Sequence, residues 1–427
     1  MNGDECNLRS ASVPAEGDRS PLRWWFALGL LAAAYFGFLA LHPGMYIALG
    51  INHYDAWFID LFALLASNDA VSRGLDPYLP NPLDYFSRPH VYSHWWLHLR
   101  DLGLTRADTL QLGFGLVGAF LLAALAYLRP RTPHEVWWHA AVLCSSPVLL
   151  ALERGNNDLV IFILLAPLVP CLLSGRRWIR WVPPFLLAVA AALKYYPAVA
   201  GLILLAAVER DELRSRLFLA ALLLAWAGFS VSGDLAAFGP LAPQPEGLLS
   251  FGATGFFHEL GWQGWGPKLV CAGIGLVVAA RFWSGRVLAD WEPSAEQRSA
   301  WLHFILGAAL LTGCFFTSTN HGYRWIFAIW LAPLLWMLPR DPAAPPNVRR
   351  LARWTARLFL VVLWLAPLCC IVLTRLIGHV PGATVMRLAS WLFLVEQPFD
   401  WAFFLCLLAF LTHFARRGVA TLAATQP

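Results

Sequence analysis

Charge is what this chain has least of. Only 13% of its 427 residues are Asp, Glu, Lys or Arg, about half the share of an ordinary soluble protein. With 59% of residues hydrophobic, that scarcity excludes a disordered chain, a nucleic-acid binder and a conventional cytosolic enzyme. Lysine is scarcer still: Lys194 and Lys268 are the only two, so arginine carries almost all of the net charge of +5. Cysteine is present without a pattern. Its eight positions hold no CxxC, and all but Cys6 fall inside apolar blocks, so neither a disulfide framework nor a zinc site follows. No internal repeat and no Ser-His-Asp arrangement stands out either.

What the chain does have is long apolar blocks divided by short arginine-bearing stretches, the pattern of an all-α polytopic membrane protein. Residues 1–21 read as a polar cytoplasmic tail, and the run from Trp24 to Leu41, behind Arg19 and Arg23, as an uncleaved signal anchor running outward. Further blocks lie near 110–128, 136–152, 159–173, 181–193, 198–208, 217–231, 269–283, 301–316, 325–338, 358–373 and 401–411. They predict about twelve transmembrane helices between 22 and 414, with both termini inside and residues 415–427 as a second cytoplasmic tail. The charges agree with that count. Twenty-one of the 31 basic residues, among them the run from Arg340 to Arg357, fall on the cytoplasmic side, as the positive-inside rule expects. Merging 181–208 into one helix would turn that run outward.

The expected outer segments are a long first loop at 43–108, with short interfacial helices around its Trp and Tyr residues, and further loops at 232–267 and 375–397. The two blocks flanking Lys194 hold about 13 and 11 apolar residues, roughly 20 and 17 Å of helix against some 30 Å of hydrocarbon. Their tip must lie below the outer surface, which backbone tolerates only when buried in protein or lining a polar cavity.

Four constellations gather at such outer tips. The first loop carries Asp55 and Asp60. Asp55 suits a helix N-cap as well as a functional carboxylate, whereas Asp60 lies one turn deeper, where an unused carboxylate is costly. Glu153-Arg154-Gly155-Asn156-Asn157-Asp158 stands between apolar blocks with no spacer, and capping explains only one or two of these polar groups. Lys194 heads Lys194-Tyr195-Tyr196-Pro197 at the shortest hairpin, where snorkelling is difficult and an anion such as a lipid phosphate would satisfy it. Fourth comes Thr317–Arg324, in which His321 and Arg324 offer donors at a helix start suited to phosphate. The triplet His90, His94 and His98 has the spacing of a helical metal site, but Pro89 and the interleaved Trp95-Trp96 favour an interfacial aromatic segment. Gly261–Gly266 reads as a loop packed at the lipid interface.

At these residues the chain resembles the polytopic GT-C glycosyltransferases, specifically glycosyltransferase family 87, the polyprenyl-phosphate-mannose-dependent type. The resemblance rests on Asp60-Leu61-Phe62 followed by Gly74-x-Asp76-Pro77-Tyr78, on Glu153–Asp158, on Leu193–Pro197 and on His321-x-Tyr323-Arg324, and spans most of residues 24–340. Where that family usually carries Tyr-Pro-Pro, the nearest element here is Val91-Tyr92-Ser93. The resemblance implies an inverting, metal-independent transfer of a hexose, mannose in that type. The sugar would pass from a polyprenyl-phosphate donor to a lipid or glycan acceptor on the outer face of a bacterial inner membrane, with no cofactor. It further implies Asp60, or Asp55, as general base. Lys194, Arg324, His321 and Arg154 would neutralise the departing lipid phosphate, and Glu153, Asn156, Asn157, Asp158 and Tyr323 would line the substrate site. A transporter or flippase of lipid-linked sugars is the alternative from another class. Transporters, however, usually show repeat symmetry and ionisable groups near the bilayer centre.

Overall fold

A computed structural model describes residues 22–423 apart from 52, 55, 207–209, 239–240, 242–246, 249, 286–287, 289–290, 318 and 378. The expected N-terminal tail, Asp55 and the last four residues lie outside the described residues. Numbering the longer helices in chain order, these are α1 (Leu22–Leu41), α2 (Ile59–Ser72), α3 (Thr109–Tyr127), α4 (Pro133–Leu143), α5 (Ser146–Arg154), α6 (Asp158–Leu165), α7 (Val182–Leu193), α8 (Arg210–Ser230), α9 (Trp265–Ser284), α10 (Arg298–Thr317), α11 (Pro346–Leu376) and α12 (Gly382–Ala423). The protein is an all-α polytopic membrane protein. Among the described residues, seven helices, namely α1, α3 and α8 to α12, are long and apolar enough to cross a membrane, and α4 with α5, bent by 51° at their junction, makes an eighth. Three further apolar helices, at Asp158–Leu172, Ile179–Leu193 and Tyr196–Leu205, are shorter. The block expected at 325–338 forms a 3-10 helix, Gly322–Leu331, continued by Ala332–Met337. Each of the twelve expected blocks is therefore helical over most of its described residues, although length alone supports seven or eight crossings.

The core is built around α10. Its central window is 83% buried against 11% for α9, and its side chains interlock with α12 through rings such as Phe315 and Phe404, stacked at 4.0 Å. This nearly all-apolar helix (Trp301–Phe316) buries every side of itself, which only a helix surrounded by others can do. The outer helices α1, α3, α8 and α9 instead leave most of their apolar side chains on the outside, as expected where lipid replaces water.

The first loop is tied down as a structured cap. Within it α2 carries a second, 3-10 helix at His94–Leu102, and buried Asn68 fastens the two. Its amide donates to the Trp96 carbonyl at 3.0 Å and accepts from the Arg100 N–H at 2.9 Å. Asp234, in the short helix Ser232–Phe238, accepts from the His94 N–H and contacts its ring, both at 2.9 Å, and accepts from the Tyr78 hydroxyl at 3.3 Å. His90 contacts the Ser93 carbonyl and His98 contacts Asp101. The three histidines thus serve three separate partners. Burial lowers the His90 pKa to about 4.

Two expectations about loops need correction. Residues 375–397 are mostly helix: α12 begins at Gly382 and runs for 42 residues with Pro398 inside it. The helix runs on through Pro398, because a proline in a long packed helix costs only local hydrogen bonds that neighbours compensate. The same helix continues past 415, so the described part of the expected C-terminal tail is helical as far as Ala423. The 232–267 segment contributes Ser250–Phe251, which pairs antiparallel with Asn320–His321, a two-stranded ribbon that hydropathy patterning does not reveal.

Candidate active site

The turn between α5 and α6 is the hub of the site. Gly155 ends α5 in the left-handed region, φ 57°, and Asn156 then folds back so that its Oδ1 accepts from the Asp158 N–H at 3.0 Å. Against this turn sits Phe58, itself left-handed at φ 58°, immediately before α2. That conformation costs a phenylalanine about 1–3 kcal/mol, and the surroundings impose it. The Phe58 N–H donates to the Glu153 carbonyl at 3.0 Å, and the side chain fills the space left by two glycines, Gly113 and Gly155. Two residues further on, Asp60 is delivered to the Asn156 side chain. A Cβ on residue 155 would lie 2.9 Å from the Phe58 Cβ. Gly155→Ala is therefore expected to lower unfolding stability by about 2 kcal/mol or more and to cut activity with it. Thermal unfolding and transfer rate in detergent check this, and a variant as stable and active as wild type would show that the wedge is dispensable.

Asp60 lies in the first turn of α2, near its positive end, with its side chain 14% exposed. Its Oδ2 accepts from Asn156 Nδ2 at 2.7 Å and its Oδ1 from Arg88 Nη1 at 3.4 Å. Arg88 is the residue that sequence reasoning missed. Its guanidinium also binds both oxygens of Asp84 at 3.0 Å and donates to the Ile59 carbonyl at 2.8 Å. Burial pushes the Asp84 carboxyl up, but the Arg88 hydrogen bond and charge, with backbone donors, bring it below its ordinary value. A basic residue four positions after an aspartate was the only sequence hint, and in a loop that spacing signals nothing.

From Asn156 the network continues inward. Its Oδ1 accepts from Lys194 Nζ at 3.5 Å, while Asn157 Oδ1 accepts from the same ammonium at 2.6 Å. Lys194 is also ion-paired with the fully buried Asp158, whose Oδ1 accepts from the Tyr196 hydroxyl at 2.7 Å as well. The rings of Tyr92, Tyr196 and Tyr323 surround the ammonium at 5.9, 5.8 and 5.6 Å. The anion that satisfies Lys194 here is thus an internal carboxylate. Arg324 is held less tightly: its Nε is 3.8 Å from Asp158 Oδ2, and the guanidinium lies over the Tyr196 ring at 4.7 Å. His321 stacks on Tyr323 at 5.1 Å. Glu153, fully buried, binds His53 at 3.0 Å and Arg154 at 3.1 Å, and Arg154 lies over the Tyr54 ring at 4.8 Å.

The structure therefore gathers Asp60, Asn156, Asn157, Asp158, Lys194, Tyr323 and Arg324 around one turn, with Glu153 and Arg154 at its α5 side. Tyr92, from the Val91-Tyr92-Ser93 element, joins them. No group of three or more His, Cys, Asp and Glu among the described residues could hold a metal ion. Chemically, the cluster offers an oriented carboxylate on one side of the Asn156 amide and two cations among aromatic rings on the other. No curated protein and no solved structure matches the chain. The model of glycosyltransferase family 87 does match, over residues 102–314, about half of the chain and including the Glu153–Asp158 turn and Lys194. The chain belongs to glycosyltransferase family 87, consistent with a membrane glycosyltransferase of the GT-C type.

Proposed function

We propose that this glycosyltransferase moves a hexose, mannose by family resemblance, from a polyprenyl-phosphate donor to a lipid or glycan acceptor on the extracytoplasmic face of a bacterial inner membrane. All twelve apolar blocks cross in this reading, the short ones as recessed hairpins whose tips form the site. The observation that carries it is the bridging of Asp60 and Lys194 by the two ends of one side-chain amide, Asn156.

The chemistry follows from that pairing. The acceptor hydroxyl attacks the anomeric carbon as the bond from that carbon to the phosphate oxygen breaks, and the electron pair leaves with the lipid phosphate. Asp60 takes the hydroxyl proton in the same step, since the oxygen becomes a good nucleophile only as its proton departs. A single displacement inverts the anomeric centre. Negative charge grows on the phosphate, so fixed cations in a water-poor site stabilise the transition state more than the ground state. Arg324, the less tightly paired cation, contacts the phosphate, with His321 and Arg154 further out. Lys194 shares its charge between Asp158 and the phosphate. Asn157, Glu153 and Tyr323 line the sugar pocket.

Incubating purified protein with radiolabelled polyprenyl-phosphate mannose and candidate acceptors tests this directly. The expected product carries the label with inverted anomeric configuration. Transfer from a nucleotide sugar alone would overturn the donor assignment, and movement of labelled lipid across vesicles without a product would support a transporter instead.

A further inference from the structure

A cavity of about 870 Å³ lies at the end of the bundle away from the site just described. Several helices run from one to the other. In α10, Ser299, Ala300 and His303 line the cavity, whereas Cys314 lies against Arg324, about 16 Å further along at 1.5 Å per residue. Similarly, α6 begins with Asp158 in the site, and Ile163, Ala166 and Pro170 beyond it line the cavity.

The volume is that of a small-molecule or lipid pocket, and the floor holds an unmet polar group. His139 is only 3% exposed, and neither of its ring nitrogens has a hydrogen-bond partner among the described residues. Its polar neighbours do have theirs. The Tyr127 hydroxyl donates to the Trp330 carbonyl at 3.0 Å and His303 contacts the Ser299 carbonyl at 2.9 Å. A neutral imidazole buried without partners forfeits hydrogen bonds that water would have supplied, so the cavity is shaped to hold a ligand with polar atoms. One wall includes Ala126, Pro167 and Pro170, all exposed on the outer surface of the helices, so the entrance faces the lipid sideways. At the mouth stand two residues of each sign, Arg129 and Arg131 with Glu135 and Glu296. A purely anionic headgroup would meet both attraction and repulsion there, whereas one bearing phosphate and ammonium meets complementary charge on both.

We propose that this cavity binds a zwitterionic, amine-bearing phospholipid. Its phosphate lies against Arg129 and Arg131 and its ammonium against Glu135 and Glu296. An ester carbonyl accepts from the His139 N–H, and an acyl chain follows the Ala126, Ala166 and Pro170 wall. This site is separate from the catalytic one and does not depend on which donor the enzyme uses.

Native mass spectrometry of the full-length protein in detergent, titrated with dioleoyl phosphatidylethanolamine or the phosphatidylglycerol of the same chains, tests the assignment. The wild type is expected to retain the ethanolamine lipid about tenfold better. Glu296→Gln, an exposed position that does not endanger folding, should bring the two lipids close to parity. Ala126→Phe, which fills the entrance from the lipid side, should remove the adduct without lowering Tm. Equal retention of the two lipids by the wild type, preference for phosphatidylglycerol, or an adduct that survives Ala126→Phe would each overturn the proposal.

Discussion

Replacing Asp60 by Asn is expected to cut the transfer rate by about 10²–10⁴-fold, the usual contribution of a general base, while leaving folding and donor binding intact. The isosteric amide can still accept from Asn156 through its oxygen, so the contact at 2.7 Å that orients the side chain survives; the longer Arg88 contact at 3.4 Å is lost with the capacity to take a proton, but Arg88 keeps Asp84 and the Ile59 carbonyl. Donor affinity is measured separately by competition with an unreactive polyprenyl phosphate. Turnover near the wild-type rate in this variant, with Asp55→Asn inactive instead, would transfer the role to Asp55. If donor binding collapsed along with the rate, Asp60 would instead be a structural member of the turn.

Lys194→Ala has the second large expected effect, on two observables at once. Lys194 and Asp158 are both buried, and without Lys194 the desolvated Asp158 keeps only the longer Arg324 contact at 3.8 Å as a cationic partner. Such a loss is worth about 3–5 kcal/mol, and thermal unfolding in detergent should show it. Donor affinity should fall too, since Arg324 would then have to serve both Asp158 and the phosphate. The double variant Lys194→Met with Asp158→Asn separates the two effects. It removes both charges, so most of the stability should return while donor binding stays weak. Wild-type stability and donor affinity in Lys194→Ala would exclude Lys194 from both roles.

Much of this site could be read from the sequence because charge is so rare in the chain. Asp60, Glu153–Asp158, Lys194 and Arg324 stand out when nearly everything around them is apolar, and the structure brings them to one place. Their pairing was not legible. That Lys194 meets Asp158 depends on how far α7 stops short of the α6 tip, a tertiary fact with no local signature. Arg88 was hidden for the opposite reason, being one of several charges in a polar loop, where composition gives no contrast. In the fold, each apolar block fell on a helix, whereas α2 and the first half of α12 lie in none of them. The course of α12 through Pro398 was missed, since buried Glu396 and Asp400 look like surface in a hydropathy reading although they are only 3% and 1% exposed.

The wedge of Phe58 between Gly113 and Gly155 has a consequence for how proteins of this kind can diverge. The three positions come from the first loop, from α3 and from the end of α5, yet they share one volume. A Cβ at Gly113 meets only the Phe58 ring, so a larger residue there is tolerable with a smaller one at 58 and those two should drift together among relatives, whereas Gly155, with its positive φ and the Phe58 Cβ against it, should stay glycine. A chimera that exchanges the first loop without these two partners would misplace its carboxylate even if every catalytic residue were retained.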